Sequence, residues 1–421
     1  MYTTTPHSNN QFSVQKELNS QDSQPLVSAI LPCLNEELTI GICIRKAQSV
    51  FVRRGINGEV VVGDNGSSDR SVEIAKSLGA RVVHQPLKGY GAAISAAVNA
   101  AKGKYLIMAD ADDSYDWSQL DNLIDILDDG ADLVIGNRFS GGIEPGAMPL
   151  LHRYLGNPVL SGIARLLYKS SIRDFHCGMR GFTKEAFQRM GTRAPGMEFA
   201  SEMVINAHRA GLRVREVPIK LYPDKRDRPP HLRSFRDGWR HLSLLIAHAP
   251  NALYLVPGIM LLLLGIVGLT VLAGGPIEIG GRYFGIHFVA LATMTTLIGL
   301  SAILLGTLAK VAIAIYHPVF GGRIVSWLKN GNPLEYLVFI GTFFVVIGFG
   351  ADVMLAYRWF FIGGSMEQSV HLVFVVTTVC VAGVFMLLSG FVLKLLLDSL
   401  GDIPQLPSSI CEPRNQHREK P

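Results

Sequence analysis

The sequence predicts a doubly wound, mostly parallel α/β sheet followed by an all-α region of four membrane-spanning helices. Three observations predict it. Short apolar runs alternate with helical patterns through the first half of the chain. Acidic and small polar clusters follow those runs directly, at the strand ends where doubly wound sheets bind ligands. Beyond Pro250 lie four apolar stretches, each reaching the ~20 residues that cross a bilayer.

The apolar runs are LVSAIL (26–31), EVVVG (59–63), RVV (81–83), KYLIMA (104–109) and ADLVIG (131–136). Near-continuous apolar character suits parallel strands covered on both faces. The helical patterns between them are Glu37–Val52, Ser71–Leu78, Gly91–Ala101 and Gln119–Asp128. A further helix over 150–168 is interrupted by Pro158. Segment 231–249 mixes basic, aromatic and apolar residues and reads as an interfacial helix. The expected spans are Leu253–Ala273, Phe284–Leu308, Tyr336–Tyr357 and Val370–Leu397. The organisation expected is a disordered tail (1–24), a cytoplasmic domain (25–230), the interfacial helix (231–249), the spans (250–400) and a C-terminal tail (401–421).

Composition agrees with two regions of different character. Hydrophobic residues make up 48% of the 421 and charged residues 17%, against about 25% charged in soluble chains. The first 24 residues are polar and lack a signal-peptide core, so the soluble half is expected in the cytoplasm. Arg233, Arg236 and Arg240 precede the first span, Arg323 and Lys329 separate the second from the third, and Arg414, Arg418 and Lys420 end the chain. By the positive-inside rule both termini are cytoplasmic. Asp352 is the carboxylate deepest in a span, and a pair with Arg358 or a small polar cavity would satisfy it. The five cysteines show no C-x-x-C spacing, so free buried thiols are expected rather than a metal cage or disulfide framework.

Three polar clusters follow the strands: Pro32-Cys33-Leu34-Asn35-Glu36-Glu37, Asp64-Asn65-Gly66-Ser67-Ser68-Asp69 and Asp110-Ala111-Asp112-Asp113. Two carboxylates one residue apart at a strand end suit Mg²⁺ or Mn²⁺, whose remaining positions go to phosphate and water. Asp64 can accept hydrogen bonds from a base or ribose, or cap the turn that follows. Lys88-Gly89-Tyr90-Gly91 opens a helix of small residues, which suits either an anion at the helix N-terminus or tight packing.

In order, the motifs "LPCLNEE", "VVVGDNGSSDRS", "PLKGYGAAISAAVNAAKGKYLIMADADD", "DFHCGMRGFTKEA", "MEFASEM" and "REVPIK" resemble family 2 glycosyltransferases of the GT-A fold. The branch they resemble makes dolichyl- and polyprenyl-phosphate sugars, and the resemblance spans about residues 26–245. It implies a nucleotide-sugar pocket lined by Pro32, Asn35, Glu36, Asp64, Lys88, Gly89, Asp110, Asp174 and Glu202. It implies a metal, Mg²⁺ or Mn²⁺, on Asp110 and Asp112, with Arg138 and Arg180 joining them in catalysis. Acceptor phosphate falls to Arg138, Arg153, Arg180, Arg226 and Arg233.

The implied reaction is inverting transfer of a hexose from UDP-glucose or GDP-mannose to polyprenyl phosphate. Its partners are the donor, the lipid acceptor and the membrane, with a homo-oligomer allowed and no nucleic acid. A phosphate acceptor is already anionic at neutral pH and needs cationic alignment more than a base. The sequence departs from the branch in three places. Arg233-Ser234 replaces the branch's Ser-Lys pair, Asp113 adds a third carboxylate beside the metal pair, and four spans replace one or two. Transfer to a lipid hydroxyl, and a non-catalytic membrane scaffold, remain as alternatives. Processive synthesis is disfavoured because Arg236-Asp237-Gly238-Trp239-Arg240 reverses the Gln-x-x-Arg-Trp order and lacks its Gln.

Overall fold

The computed structural model describes residues 24–225, 234–316, 322–362 and 366–401. Nearly all of both expected tails, with Cys411, therefore lies outside the described residues, as do Arg226, Arg228 and Arg233. The chain divides into two compact units, with the boundary between Leu245 and Ile246.

The first unit is built on a seven-stranded sheet of order β3-β2-β1-β4-β6-β5-β7. Its strands are β1 (Val27–Cys33), β2 (Gly58–Asp64), β3 (Arg81–His84), β4 (Tyr105–Met108), β5 (Leu133–Asn137), β6 (Arg180–Thr183) and β7 (Val214–Pro218). The intervening helices are α1 (Ile40–Arg54), α2 (Ser71–Ser77), α3 (Tyr90–Ala100), α4 (Leu120–Asp128), α5 (Asn157–Tyr168), α6 (Lys184–Met190) and α7 (Phe199–Arg209). β1 pairs in parallel with β2 and β4, β2 with β3, and β5 with β7. The core lies on both sheet faces: Ile30, Leu31, Val61, Leu106, Ile107, Val134 and Ile135 have no exposure. That double burial is why these strands read as unbroken apolar runs.

β6 departs from the expectation. It lies antiparallel between β4 and β5. Its four residues, Arg-Gly-Phe-Thr, begin with a charge that normally argues against a central strand, so neither length nor hydropathy marks it. α1 begins three residues later than expected because Asn35 adopts a left-handed φ of 57°, which bends the chain before the helix starts.

Pro158 does not interrupt its helix. The helix runs on because a π turn, His152–Gly156, precedes α5. In a regular α-helix Pro158 would clash with the carbonyl four residues earlier and leave it unbonded. Widening the turn relieves both problems. The same arrangement recurs in the second unit, where the π turn Asn251–Leu255 precedes Pro257.

After α8 (Ser234–Ala247) come α9 (Val256–Leu272), α10 (Ile286–Tyr316), α11 (Gly322–Asn330), α12 (Pro333–Phe361) and α13 (Met366–Gly401). Four stretches are long and apolar enough to cross a bilayer: Asn251–Leu272, Ile286–Ile315, Pro333–Phe361 and Val370–Leu400. Between the first two, a hairpin pairs β8 (Ile277–Ile279) with β9 (Arg282–Phe284). Gly280 and Gly281 make its turn with φ of 59° and 74°, as a two-residue turn of that hand requires.

Lipid gives helices no hydrophobic reason to associate, so close packing must do it. α9 meets α10 at Gly258 and Gly299, where an added Cβ would lie 3.0 Å and 2.8 Å from the other glycine's carbonyl oxygen. α12 meets α13 at Gly341 and Gly383, with corresponding distances of 2.8 Å and 2.6 Å. Asp352 is not paired with Arg358 among the described residues. It accepts from the Thr377 hydroxyl at 3.2 Å, so a neighbouring helix supplies its partner.

Replacing Gly383 by Leu should separate α12 from α13 and lower the thermal midpoint of the detergent-solubilised protein by several degrees. Gly350→Leu should leave it unchanged, since nothing lies within 4 Å of a Cβ there. Thermal unfolding of the two variants side by side checks this.

Candidate active site

The strand ends carry the site because parallel strands bring their carboxyl ends to one edge. The first two polar clusters interlock there. Cys33 stands opposite Asp64 in the β1–β2 register, and Pro32 opposite Gly63. The Asn35 N–H donates to the Ser67 hydroxyl at 2.9 Å, and the Ser68 N–H returns to the Asn35 carbonyl oxygen at 2.7 Å. The Glu36 N–H donates to the Ser71 hydroxyl at 2.7 Å, which leaves Glu36 6% exposed. Asp64 accepts from the Ser67 N–H at 2.9 Å and the Gly66 N–H at 3.2 Å, with His84 Nδ1 at 2.9 Å. Burial would raise the pKa of Asp64, but these bonds outweigh it and hold the group below its usual value.

Asn65, a residue the sequence did not single out, ties the next segment to this turn. Its carbonyl oxygen accepts from the Gly89 N–H at 2.7 Å, and its backbone carbonyl from Lys88 Nζ at 2.6 Å. Gly89 is required on two counts. Its φ is 145°, and an added Cβ would lie 2.1 Å from the Pro195 carbonyl oxygen. Between the two readings of this segment, the observed contacts are those of close packing.

The third cluster follows β4. Asp110 is half-buried and accepts from the Tyr90 hydroxyl, whose pKa burial and this carboxylate push well above the ordinary phenol value. Gly178 lies against Asp110: a Cβ there would meet its Oδ2 at 3.1 Å and the Tyr115 hydroxyl at 3.2 Å. Asp112 Oδ1 accepts from the Ser114 N–H at 3.0 Å and the Ser114 hydroxyl at 2.6 Å. Asp113 does not crowd the pair. Its backbone turns to a φ of 60°, and its carboxylate is held by Lys46 and Lys225, each at 2.7 Å. Lys225 is thereby a clamp on this loop rather than an open cation.

The donor set fits a hard cation. Two carboxylates and a phosphate-bearing ligand satisfy Mg²⁺ or Mn²⁺. Among the described residues no group of three or more His, Cys, Asp or Glu converges. The described cysteines are free, three of them buried. Burial pushes the Cys33 thiol up to about 11 and Cys43 to about 12, so neither is a thiolate at neutral pH.

The arginines part company. Arg138, just after β5, makes a two-pronged pair with Asp174, Nε and Nη2 each donating at 2.8 Å. Nη1 has no partner among the described residues. Burial, with a smaller contribution from the Arg138 charge, holds the His152 pKa below its ordinary value. Arg180 is a correction. It has no exposure, and its guanidinium donates to the carbonyls of Cys177 (2.8 Å), Phe175 (2.7 Å) and Ala200. A guanidinium consumed by three carbonyls cannot receive a phosphate. Glu202 is corrected likewise. At 4% exposure its Oε2 accepts from the Arg193 and Ala194 N–H groups at 3.0 Å and 2.7 Å, so it shapes the loop packed on Gly89. The Arg153 guanidinium lies 5.6 Å from the ring of Tyr154. Arg226 and Arg233 lie outside the described residues.

Comparison with known proteins decides the family. The profile of glycosyl transferase family 2 matches residues 28–191, and that of the family 2 C-terminal transmembrane region matches 307–397. A Haloferax volcanii protein named low-salt glycan biosynthesis hexosyltransferase Agl6 is 37% identical over 384 residues, covering 90% of each chain. The chain belongs to glycosyltransferase family 2. It is also similar to a dolichyl-phosphate hexose transferase of the same organism, 34% identical across 46% of this chain and 81% of the other. Among solved structures, glucosyl-3-phosphoglycerate synthase of Mycobacterium tuberculosis matches at 21% identity and a TM-score of 0.43, over 58% of this chain and 86% of that one. As a family 2 glycosyltransferase the chain is an enzyme, with the GT-A-type sheet and four apolar helices that its sequence predicts.

Two outcomes follow from this geometry. Arg180→Met should leave three buried carbonyls unpaired and cost roughly 3–5 kcal/mol of stability, read by chemical denaturation of the solubilised enzyme. Asp64, with its folded pKa depressed, contributes stability that is complete above its unfolded value of 3.8 and lost as pH falls through the folded one. Asp64→Asn should therefore flatten the acid limb of a stability–pH profile.

Proposed function

We propose that this enzyme transfers a hexose from a nucleotide-sugar to polyprenyl phosphate at the cytoplasmic membrane face, inverting the anomeric carbon. The observation that carries the reading is the carboxylate pair Asp110 and Asp112 at the end of β4, in a site that also holds one oriented arginine, Arg138. The nucleotide would lie over Pro32, Asn35, Glu36 and Asp64, with Lys88 and Gly89 closing the adjacent turn. Asp110 and Asp112 would hold Mg²⁺ or Mn²⁺, which when bound neutralises the departing diphosphate.

The acceptor side follows from charge. A phosphate monoester is anionic at neutral pH, with its second pKa near ~6, and can attack without a general base. What it requires is alignment against its own repulsion from the diphosphate. Asp174 fixes the Arg138 guanidinium in one plane and orientation, so Nη1 meets an incoming oxygen with little further loss of entropy. Arg153 on the π turn, with Arg226 and Arg233, would complete the cationic surface. The names of the Haloferax relatives, a hexosyltransferase and a dolichyl-phosphate hexose transferase, support a hexose as the group transferred and a lipid phosphate as its acceptor. The Lys and Arg residues flanking the spans support a cytoplasmic catalytic unit and cytoplasmic termini.

Membranes containing the protein, incubated with polyprenyl phosphate, Mg²⁺ or Mn²⁺ and each radiolabelled nucleotide-sugar in turn, test the reading. Label should enter the organic phase as an acid-labile glycosyl phosphate. Asp112→Asn should reduce it by at least about a hundredfold, the scale on which lost charge stabilisation acts. An acid-stable labelled lipid would instead mark a hydroxyl acceptor. Nucleotide binding without transfer from any donor would mark a scaffold.

A further inference from the structure

α8 leads directly into the second unit. Its buried residues within the first unit are His241 and Leu245, four apart and so on one face. Leu245 joins the core, and its carbonyl accepts from the Tyr168 hydroxyl at 2.7 Å. His241 Nδ1 lies 2.9 Å from the Ser201 hydroxyl, and its ring meets that of His176 edge-on at 4.7 Å and 83°. Elsewhere on the helix Phe235 and Trp239 are 87% and 67% exposed.

His176 makes this contact informative. Both its ring nitrogens are buried and have no hydrogen-bond partner among the described residues. Leaving a buried polar group unpaired costs about 1–3 kcal/mol, so hydrogen bonding does not explain a histidine here. What His176 does touch is His241. It also sits two residues from Asp174, which orients Arg138, and two from Gly178, which packs on Asp110. Burial, His241 and the Arg138 and Arg180 charges all hold its pKa well below the ordinary value, so the two rings meet without mutual charge repulsion.

We propose that His241 is a positioning residue that, through Ser201 and the His176 ring, registers α8 against the 174–180 loop and so sets affinity for the lipid acceptor. The acceptor part rests on the proposed function. The mechanical part does not. A helix continuous with the membrane unit presses one ring onto the loop that aims Arg138 and lines Asp110. Displacing the helix displaces the groups that must meet the acceptor phosphate, while the nucleotide turn at Asn35 and Asp64 belongs to other strands and is untouched.

The test compares wild type with His241→Ala, His176→Ala, the double alanine variant and His176→Phe, all as full-length protein in membranes. Amide hydrogen exchange over Ser234–Ala247 needs no substrate. Each single alanine change should speed exchange about tenfold, the equivalent of one buried contact. The double variant should be no worse than His241→Ala alone, because that change already removes the shared ring contact along with the Ser201 hydrogen bond. His176→Phe should keep protection, since the ring and not its nitrogens makes the contact. In transfer assays the alanine variants should raise KM for polyprenyl phosphate by a similar factor and leave KM for the nucleotide-sugar unchanged, and His176→Phe should restore the wild-type value. Additive or absent exchange effects, or equal shifts in both KM values, would overturn the proposal. Exchange coupling in a protein that transfers nothing to polyprenyl phosphate would overturn the acceptor reading alone and leave the latch supported.

Discussion

The catalytic unit depends on a charge that never meets solvent. Arg180 opens β6, a strand antiparallel to both neighbours, and spends its guanidinium on the carbonyls of Phe175, Cys177 and Ala200. Burying an arginine is costly unless its donors are satisfied, and here backbone acceptors do so. They thereby fix the loop 174–180 from within. From that loop Asp174 reaches Arg138, Gly178 reaches Asp110 and Tyr115, and His176 reaches His241. The cation that family resemblance assigns to a substrate is instead a strut for the loop that carries these neighbours.

A second constraint acts at the ends of β1 and β2. β1 and β2 run parallel in a register that brings Cys33 level with Asp64, so the turns beyond them emerge together. Each then uses the other's side chains to satisfy its backbone, Ser67 and Ser71 serving the first turn and Asn35 the second. A surface made of mutually fixed polar groups loses little freedom when a ligand arrives, which is what preorganisation means for binding. The third cluster follows the same logic with charge: Lys46 and Lys225 hold Asp113 away and leave Asp110 and Asp112 as the pair at the strand end.

The membrane unit solves a different problem. Its helices cannot be driven together by water, so glycine contacts set their spacing, and its prolines cannot continue an α-helix unaided. The π turn ahead of Pro257 repeats the one ahead of Pro158. A local steric rule thus has one answer in two environments, because the clash with the carbonyl four residues earlier does not depend on solvent.

Much of this was legible in the residues. Unbroken apolar runs gave five strands, because burial on two faces leaves no room for alternation. Span length gave the four crossing helices, because bilayer thickness is fixed. The clusters at Asn35, Asp64 and Asp110 stood out because chain order alone places them after parallel strands. Tertiary structure alone decided the rest. Arg138 and Arg180 have the same side chain, and only the Asp174 carboxylate beside one and three carbonyls around the other give them different work. Glu202 and Asp113 are carboxylates whose partners, the 193–194 backbone and two lysines, come from elsewhere in the chain. β6 escaped notice because its buried arginine is tolerable only once the loop around it has folded. Sequence pattern records which groups avoid water and in what order they occur. Which polar group satisfies which is settled by distances that exist only when distant segments meet.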